Sequence, residues 1–462
     1  MSAAVPGRSL LVAGLGRSGV AAARAALDAG ADVLMHDDAP AAVSERAADL
    51  VRRGARTITD IAWLFTHQPP DVVVASPGLS PRTPVLSAAQ EAGVEIWSEP
   101  ELAWRLLDGR TRLVGVTGTN GKTTTTELLA ACLDAPATGN IGRPLSDLVA
   151  DPPPLAVVEL SSFQLHFTHA LRTDVGVLLN VADDHLDWHG DGMAYASTKA
   201  RIWQRQRNAA TPGLGARDWA VTNADDAGCR RAVAAHPPPA GHLTFGLGAP
   251  PRGGVGIVDG VLVERVTTEH PTPVIAVAAL GLHGPHNVAN AAAATAAAIA
   301  AGVPPAALAR PLAAARVGAH RLELVAEQGG VRWVDDSKAT NPHAAAAALR
   351  SFDSVVWIAG GLNKGLSFSP LAHEIATRVR LALTIGTAGP EIAALTRANG
   401  VETIEAERLD RAVAIARDRA VAGDVVLLAP ACASMDQFTD YADRGDQFRA
   451  LVTRSRTAEV RR

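Results

Sequence analysis

Short Val- and Leu-rich runs recur along the chain, separated by stretches that suit helices. The first set is "SLLVAGLG", "ADVLMHD" and "DVVVASPG", with the helix-like "SGVAAARAALDAG" between its first two members. A strand apolar on both faces must be covered on both sides, and crossover helices do this when neighbouring strands run parallel. The alternation therefore predicts an α/β fold built on parallel sheets. "RLVGVTG", "LAVVELS", "DVGVLLNV" and "WAVTNADD" form a second set, which also holds "GIVDGVLV", a predicted hairpin turning at Asp259-Gly260. A third set begins near residue 318 with "VRWVDDS", "SVVWIAGG", "LALTIG", "VETIEAE" and "DVVLLAPA". At 462 residues the chain exceeds one ordinary core. Three domains are expected, at 1–108, 109–317 and 318–462.

Composition narrows the class of partner. Hydrophobic residues are 48% and charged residues 19%, as in a well-buried globular protein. Net charge is -4 and no run of five basic residues occurs, which argues against nucleic acid. Cys132, Cys229 and Cys432 are scattered, an odd number without a CxxC pair, so reduced thiols and a cytoplasmic location are expected. The N-terminal residues run into a strand pattern without a cleavable signal. "NVANAAAATAAAIAAGV", residues 287–303, is too poor in leucine and phenylalanine for a membrane span and reads as a buried helix.

Glycine loops at strand ends carry the chemistry. In "GLGRSG", Gly14, Gly16 and Gly19 lie between a strand and a helix, and Asp37-Asp38 closes the next strand. That spacing fits a diphosphate at a helix N-terminus with a carboxylate on the ribose, or a tight turn without ligand. No hydride-transfer chemistry is evident before residue 110. "VGVTGTNGKTTTT" is more specific. Gly118 and Gly121 leave backbone N–H groups to cradle phosphate, Lys122 reaches the β/γ-phosphates, and a threonine hydroxyl holds Mg²⁺. Position 116 is valine, not the first glycine of the common P-loop. Glu159 ends an apolar strand where a further Mg²⁺ ligand is wanted. "NVADDHLDWHG" gathers Asp183, Asp184, His185, Asp187 and His189 after another strand. Later turns hold Arg321, Asp336, Lys338 and Thr340, then Lys364 in "GGLNKG", then Ser434 in "APACASMDQF". Ligands of open parallel sheets bind outside the strand C-termini, so these turns predict a cleft for a small anion. Cys432 has no base near it in sequence and reads as a core residue.

Taken in order, "GVTGTNGKTTTT", "VVELSSFQL", "NVADDHLDWHG", "GPHNVANAAAA", "HRLELV", "DDSKATN" and "APACASMDQF" resemble the Mur ligases over essentially the whole chain. These are ATP-dependent amide-bond synthetases of peptidoglycan precursor assembly, a superfamily shared with folylpolyglutamate synthase. "DDSKATN" with "ACASMDQF" is similar to the branch that adds D-glutamate, and the D-N-P-R motif of the diaminopimelate- or lysine-adding branch is not found. The resemblance implies an N-terminal Rossmann-like domain, a central P-loop ATPase-like parallel sheet with a small β portion, and a C-terminal Rossmann-like domain. It implies that Gly16, Arg17, Ser18, Asp37, Gly78 and Asn140 bind the UDP-linked substrate, UDP-N-acetylmuramoyl-L-alanine, in place of NAD. ATP is expected on Gly118, Thr119, Asn120, Gly121, Lys122, Thr123, Thr124, Asn290, Arg321 and Asp336, and D-glutamate on Lys338, Thr340, Lys364, Ser434 and Tyr441.

The same resemblance implies catalysis by Lys122, Glu159, His185 and Lys199 with two Mg²⁺ ions. Thr123 and Glu159 match ligands of one ion and His185 of the other, where Lys199 bears a CO₂-derived carbamate. A substrate carboxylate would attack ATP to give an acyl phosphate that the amine of D-glutamate then displaces. A sibling ligase taking a different amino acid is the alternative. A monomer is expected, and because these ligands would be shared among three domains, a C-terminal domain that swings to close the site. Tyr441 stands where a phenylalanine is usual, the Asp37-Asp38-Ala39 turn lacks a basic residue found in some relatives, and the loop from Arg207 to Asp218 is longer than in short members.

Overall fold

A computed structural model describes residues 5–39, 47–207, 218–282, 284–316 and 318–454. The long loop expected after Arg207 lies outside the described residues. Two compact units result: Met1–Val181 with Trp188–Ala315, and Ala182–Asp187 with Arg316–Arg462. The first two expected domains thus share one unit, each with its own sheet.

The first sheet joins β1 (Ser9–Ala13), β2 (Asp32–His36), β3 (Arg56–Thr57), β4 (Val72–Ala75) and β5 (Glu95–Ser98) in the order β3-β2-β1-β4-β5, all parallel. Side chains alternate across a strand. Leu10, Val12, Val33 and Met35 therefore pack on one face, and Leu11, Ala13 and Leu34 on the other. Each such Val, Leu or Met side chain, fully buried, contributes about 1.5–3 kcal/mol.

The second sheet holds nine strands: β6 (Arg112–Thr117), β7 (Ala137–Gly139), β8 (Leu155–Glu159), β9 (Val175–Leu178), β10 (Trp219–Asn223), β11 (Gly241–Phe245), β12 (Gly254–Val258), β13 (Val261–Glu264) and β14 (Thr272–Ala276). Their order is β14-β13-β12-β11-β10-β9-β6-β8-β7, parallel as far as β12 and antiparallel from β12 to β14. The expected hairpin is there, with φ of 48° at Asp259 and 73° at Gly260, the left-handed pair a tight two-residue turn needs. Strand β6 lies between β8 and β9, so the phosphate loop leaves β6 flanked by the ends of both. The alanine-rich segment forms the buried helix Pro285–Ala301 against helix Lys122–Leu133. No described helix is long and apolar enough to cross a membrane.

In the second unit, β15 (Glu323–Gln328), β16 (Val331–Asp335), β17 (Val355–Gly360), β18 (Val379–Ile385), β19 (Glu402–Glu407) and β20 (Val425–Leu428) follow the order β15-β16-β20-β17-β18-β19. All pairs are parallel except β15 with β16, an edge hairpin that the run pattern does not announce. Trp357, Val425 and Leu427 face one apolar layer, and Val356, Ile358 and Val426 the other.

Candidate active site

In the first unit the loop after β6 is built by backbone strain and close packing. Gly121 sits at φ 81°, at the N-cap of helix Lys122–Leu133, and a Cβ there would lie 2.5 Å from Asn290 Oδ1. Only glycine tolerates both conditions. Lys122 Nζ folds back to donate to the carbonyls of Gly118 (2.9 Å) and Thr119 (2.8 Å). Asn180, just past β9, grips the loop on both sides: its Oδ1 accepts from Asn120 N–H at 2.8 Å and its Nδ2 donates to the Asn120 carbonyl at 3.1 Å. Thr123 is half-buried and Thr124 buried on the first helical turn, where backbone N–H groups and the helix dipole favour anions.

Strand pairing places Glu159 opposite Val116. The glutamate is buried, contrary to the usual exposure of a strand-end carboxylate. Asn140 Nδ2 donates to its Oε1 at 3.1 Å, and its Oε2 is buried with no hydrogen-bond partner among the described residues. A buried carboxylate oxygen left this way costs about 1–3 kcal/mol or more unless a cation meets it. Lys199, on helix Gly192–Gln204, is 1% exposed, and its Nζ donates to the Gly118 carbonyl at 2.9 Å. The same ammonium position lies 4.5 Å from the ring centroid of Tyr195, whose hydroxyl is 3.2 Å from Thr119 Oγ1. Loop, Glu159, Lys199, Asn140 and Asn290 are thus gathered around one strand end.

At the end of β1, Gly14 has φ 85° and a Cβ on Gly19 would lie 1.9 Å from the Gly14 carbonyl, so these two glycines serve the turn. Gly16 and Gly78 have open space where a Cβ would be, which leaves backbone accessible to a ligand. Asp37 accepts from Leu15 N–H at 2.6 Å and from Ala39 N–H at 2.9 Å. Arg17 is exposed and donates to the Gly142 carbonyl at 2.8 Å, while Ser18 is half-buried beside it.

The second unit contains His185, at φ 53°. Its neighbour Asp184 accepts from His185 N–H at 3.0 Å and lies 3.6 Å from its Nε2, while Asn341 Nδ2 donates to Asp184 at 3.2 Å. Asp336 follows β16; burial pushes its carboxyl up to about 7, against the lowering effect of the Leu322 N–H and the Arg321 charge. Lys338 Nζ donates to the Tyr441 hydroxyl at 3.0 Å and lies 4.4 Å from that ring. The hydroxyl that distinguishes Tyr441 from phenylalanine therefore has a definite partner. Ser434 is 1% exposed, and Thr340 and Lys364 are half-buried.

Several supporting residues escape the sequence patterns. Arg444 is fully buried, donates to Ser337 Oγ and to the carbonyls of Ser337, Cys432 and Ala433, and so ties two of the polar turns together. His320 pairs with Asp335 at 2.7 Å, and Gly445 leaves room for it, since a Cβ there would lie 2.1 Å from His320 Nδ1. Tyr195 had one available signal, its position one turn before Lys199. Arg444 and Asn180 had none. The three cysteines are buried, and burial raises the Cys132 and Cys432 thiols to about 12, which removes them as nucleophiles.

A phosphate loop beside a buried, half-partnered carboxylate, in a three-sheet α/β protein, defines a nucleotide-dependent enzyme of the P-loop kind. Residues 8–98 match the Mur ligase MurD-like N-terminal domain, residues 116–298 the Mur ligase middle domain and residues 320–432 the Mur ligase glutamate ligase domain. UDP-N-acetylmuramoylalanine–D-glutamate ligase of Frankia casuarinae is 48% identical, over 96% of this chain and 94% of its own. The enzyme of the same name from Streptomyces avermitilis is 43% identical, over 96% and 98%. The crystal structure of UDP-N-acetylmuramate–alanine ligase from Thermotoga maritima shares the fold, with a TM-score of 0.58 at 19% identity over 97% and 100% of the two chains. The chain belongs to the Mur ligase family, in its UDP-N-acetylmuramoylalanine–D-glutamate ligase branch.

Proposed function

We propose that this chain joins D-glutamate to UDP-N-acetylmuramoyl-L-alanine through an acyl phosphate, at the expense of ATP. The family membership and the relatives' shared name support the reaction; the phosphate loop flanked by Glu159 carries the assignment of residues. In the first step the L-alanyl carboxylate attacks the γ-phosphorus, the bond to the β-phosphate oxygen breaks, and ADP leaves. The amine of D-glutamate then attacks the acyl carbon, loses a proton, and expels phosphate from the tetrahedral intermediate.

A carboxylate approaching a polyanion is repelled, so catalysis rests on positioning and charge. The Gly118–Thr124 backbone and Lys122 hold the β- and γ-phosphates, and Asn290, Arg321 and Asp336 complete the nucleotide site. Gly16, Arg17, Ser18, Asp37, Gly78 and Asn140 hold the UDP-sugar. Lys338, Thr340, Lys364, Ser434 and Tyr441 receive D-glutamate, the two lysines facing its carboxylates. Thr123 and Glu159 would hold one Mg²⁺, and His185 with Lys199 as its carbamate a second; the unpartnered Glu159 oxygen suits such an ion. Bound there, the ions would screen the charge of the phosphates. Carbamylation would turn Lys199 from a cation into an anionic ligand.

The test is phosphate release by purified protein with ATP and Mg²⁺. Release that needs both UDP-N-acetylmuramoyl-L-alanine and D-glutamate, and falls away with L-alanine, L-glutamate or meso-diaminopimelate, is expected. No release with the full mixture would overturn the assignment.

A further inference from the structure

A cavity of about 450 Å³ opens in the first unit between the start of β5, the segment after His166 and the end of helix Gly192–Gln204. It lies at the N-terminal end of β5, the opposite edge of that parallel sheet from the Gly14 turn, and its walls include none of the substrate residues assigned above. Positive groups predominate. Arg201 and Arg205, one helical turn apart, face it beside the rings of His166 and His169, of which His166 is neutral near pH 7, and Glu95 is the only carboxylate on its wall among the described residues. Glu95 is already 3.7 Å from His169 Nδ1.

Among the described residues the charge is poorly compensated. Arg201 spends NH1 on two neutral carbonyls, those of His166 at 2.6 Å and Thr168 at 3.2 Å. The His166 ring touches Phe167 and Trp188 edge-on, and its nitrogens make no hydrogen bond among the described residues. Burial, then the charges of Arg201 and His169, push that ring down to about 4. Like charges collected on an apolar wall are relieved by an anion.

We propose that this cavity binds a small organic anion, its carboxylate or phosphate held by Arg205 and Arg201 and its carbon skeleton laid against Phe167, Ile96 and Leu171. The phosphate loop would also attract anions, so the test is made on full-length Lys122→Ala protein carrying ¹⁵N-histidine. Inorganic phosphate and succinate serve as separate probes, and the His166 ring is the local reporter. Saturable binding of either probe should raise the His166 titration midpoint by about one pH unit, as a nearby opposite charge does. The probe that acts tells a phosphate from a carboxylate ligand. Adding Arg205→Ala, a change at an exposed position, should abolish the shift. If neither probe moves His166, or the shift survives Arg205→Ala, only adventitious ion binding remains and the site does not exist.

Discussion

Asn140 Nδ2 holds Glu159 Oε1 at 3.1 Å while Glu159 Oε2 stays buried without a partner among the described residues. One oxygen is thus oriented by the protein and the other is presented, the division of labour expected of a metal-binding carboxylate. Groups that orient a ligand commonly tune metal affinity by 10–100-fold. Asn140→Ala should therefore raise the half-saturating Mg²⁺ concentration by about tenfold or more, with turnover largely recovered at high Mg²⁺ when the UDP-sugar is saturating. Magnesium titration of phosphate release measures this. An unchanged Mg²⁺ requirement would separate Glu159 from metal binding.

Lys199 is enclosed between the Gly118 carbonyl and the Tyr195 ring. Its proposed carbamate supplies two oxygens that alanine cannot. Lys199→Ala should lose nearly all turnover, and short carboxylic acids such as acetate should restore part of it by occupying the vacated volume. Rescue is read as an acid-dependent rise in phosphate release. Failure at every acid concentration, in a variant with native thermal unfolding, counts against the carbamate.

The sheets were legible because the buried strands are long apolar runs, β1, β6, β9, β17 and β20 above all, and the glycine loops follow them directly. Some short or edge strands were not, although the edge strand β19 was read in "VETIEAE". β3 is the exposed pair Arg56–Thr57, and β15 alternates too weakly to be told from a loop. Within the site, Gly121, Lys122 and Glu159 could be argued from their chemistry and spacing. Lys199 could not, because a helical lysine is ordinarily a surface charge; only the family resemblance reached it. Arg444 and Asn180 act on carbonyls and amides remote in sequence, so no local pattern marks them.

Tyr441 offers a hydroxyl to Lys338 at 3.0 Å, where phenylalanine would offer only a ring face. A hydrogen bond of this kind contributes about 0.5–1.5 kcal/mol net, and rather more when one partner is charged. Tyr441→Phe keeps the cation–ring contact and frees the ammonium. The KM for D-glutamate should change by about 3- to 10-fold, with kcat changing less. Steady-state kinetics with D-glutamate varied decide it. Equal kinetics in both proteins would exclude this hydroxyl from amino-acid binding.

Gly121→Ala introduces a methyl group at φ 81° and 2.5 Å from Asn290 Oδ1. The left-handed conformation alone costs about 1–3 kcal/mol. Because the strain falls at the mouth of the phosphate loop, ATP affinity should drop more than tenfold while the fold, held by the sheets, persists. Calorimetric titration with a non-hydrolysable ATP analogue, beside circular dichroism, separates the two effects. Wild-type affinity would show that the loop does not need its present backbone path.

Glu99 opens helix Glu99–Leu107 and is fully buried. Its Oε1 accepts from Ser146 N–H at 2.6 Å, and its Oε2 has no partner among the described residues. Burial, with Asp147 adding to it, raises the carboxyl from 4.5 to about 7 despite the bond from the Ser146 N–H. The folded protein therefore holds this proton more tightly than the unfolded chain. Glu99 weighs nothing against folding below pH 4.5, where both states are protonated. Its contribution falls as pH rises towards 7, and the full cost of burying the charge, about 3 kcal/mol, is present above that. Other groups titrate in the same range, Asp336 in the same sense and His166 in the opposite one, so the comparison must be with a variant. Glu99→Gln removes the ionisation and keeps the shape. Denaturant unfolding of both proteins should give similar stabilities at pH 5 and a variant more stable than wild type at pH 8. Parallel stability curves across that interval would mean that Glu99 keeps its charge at no cost.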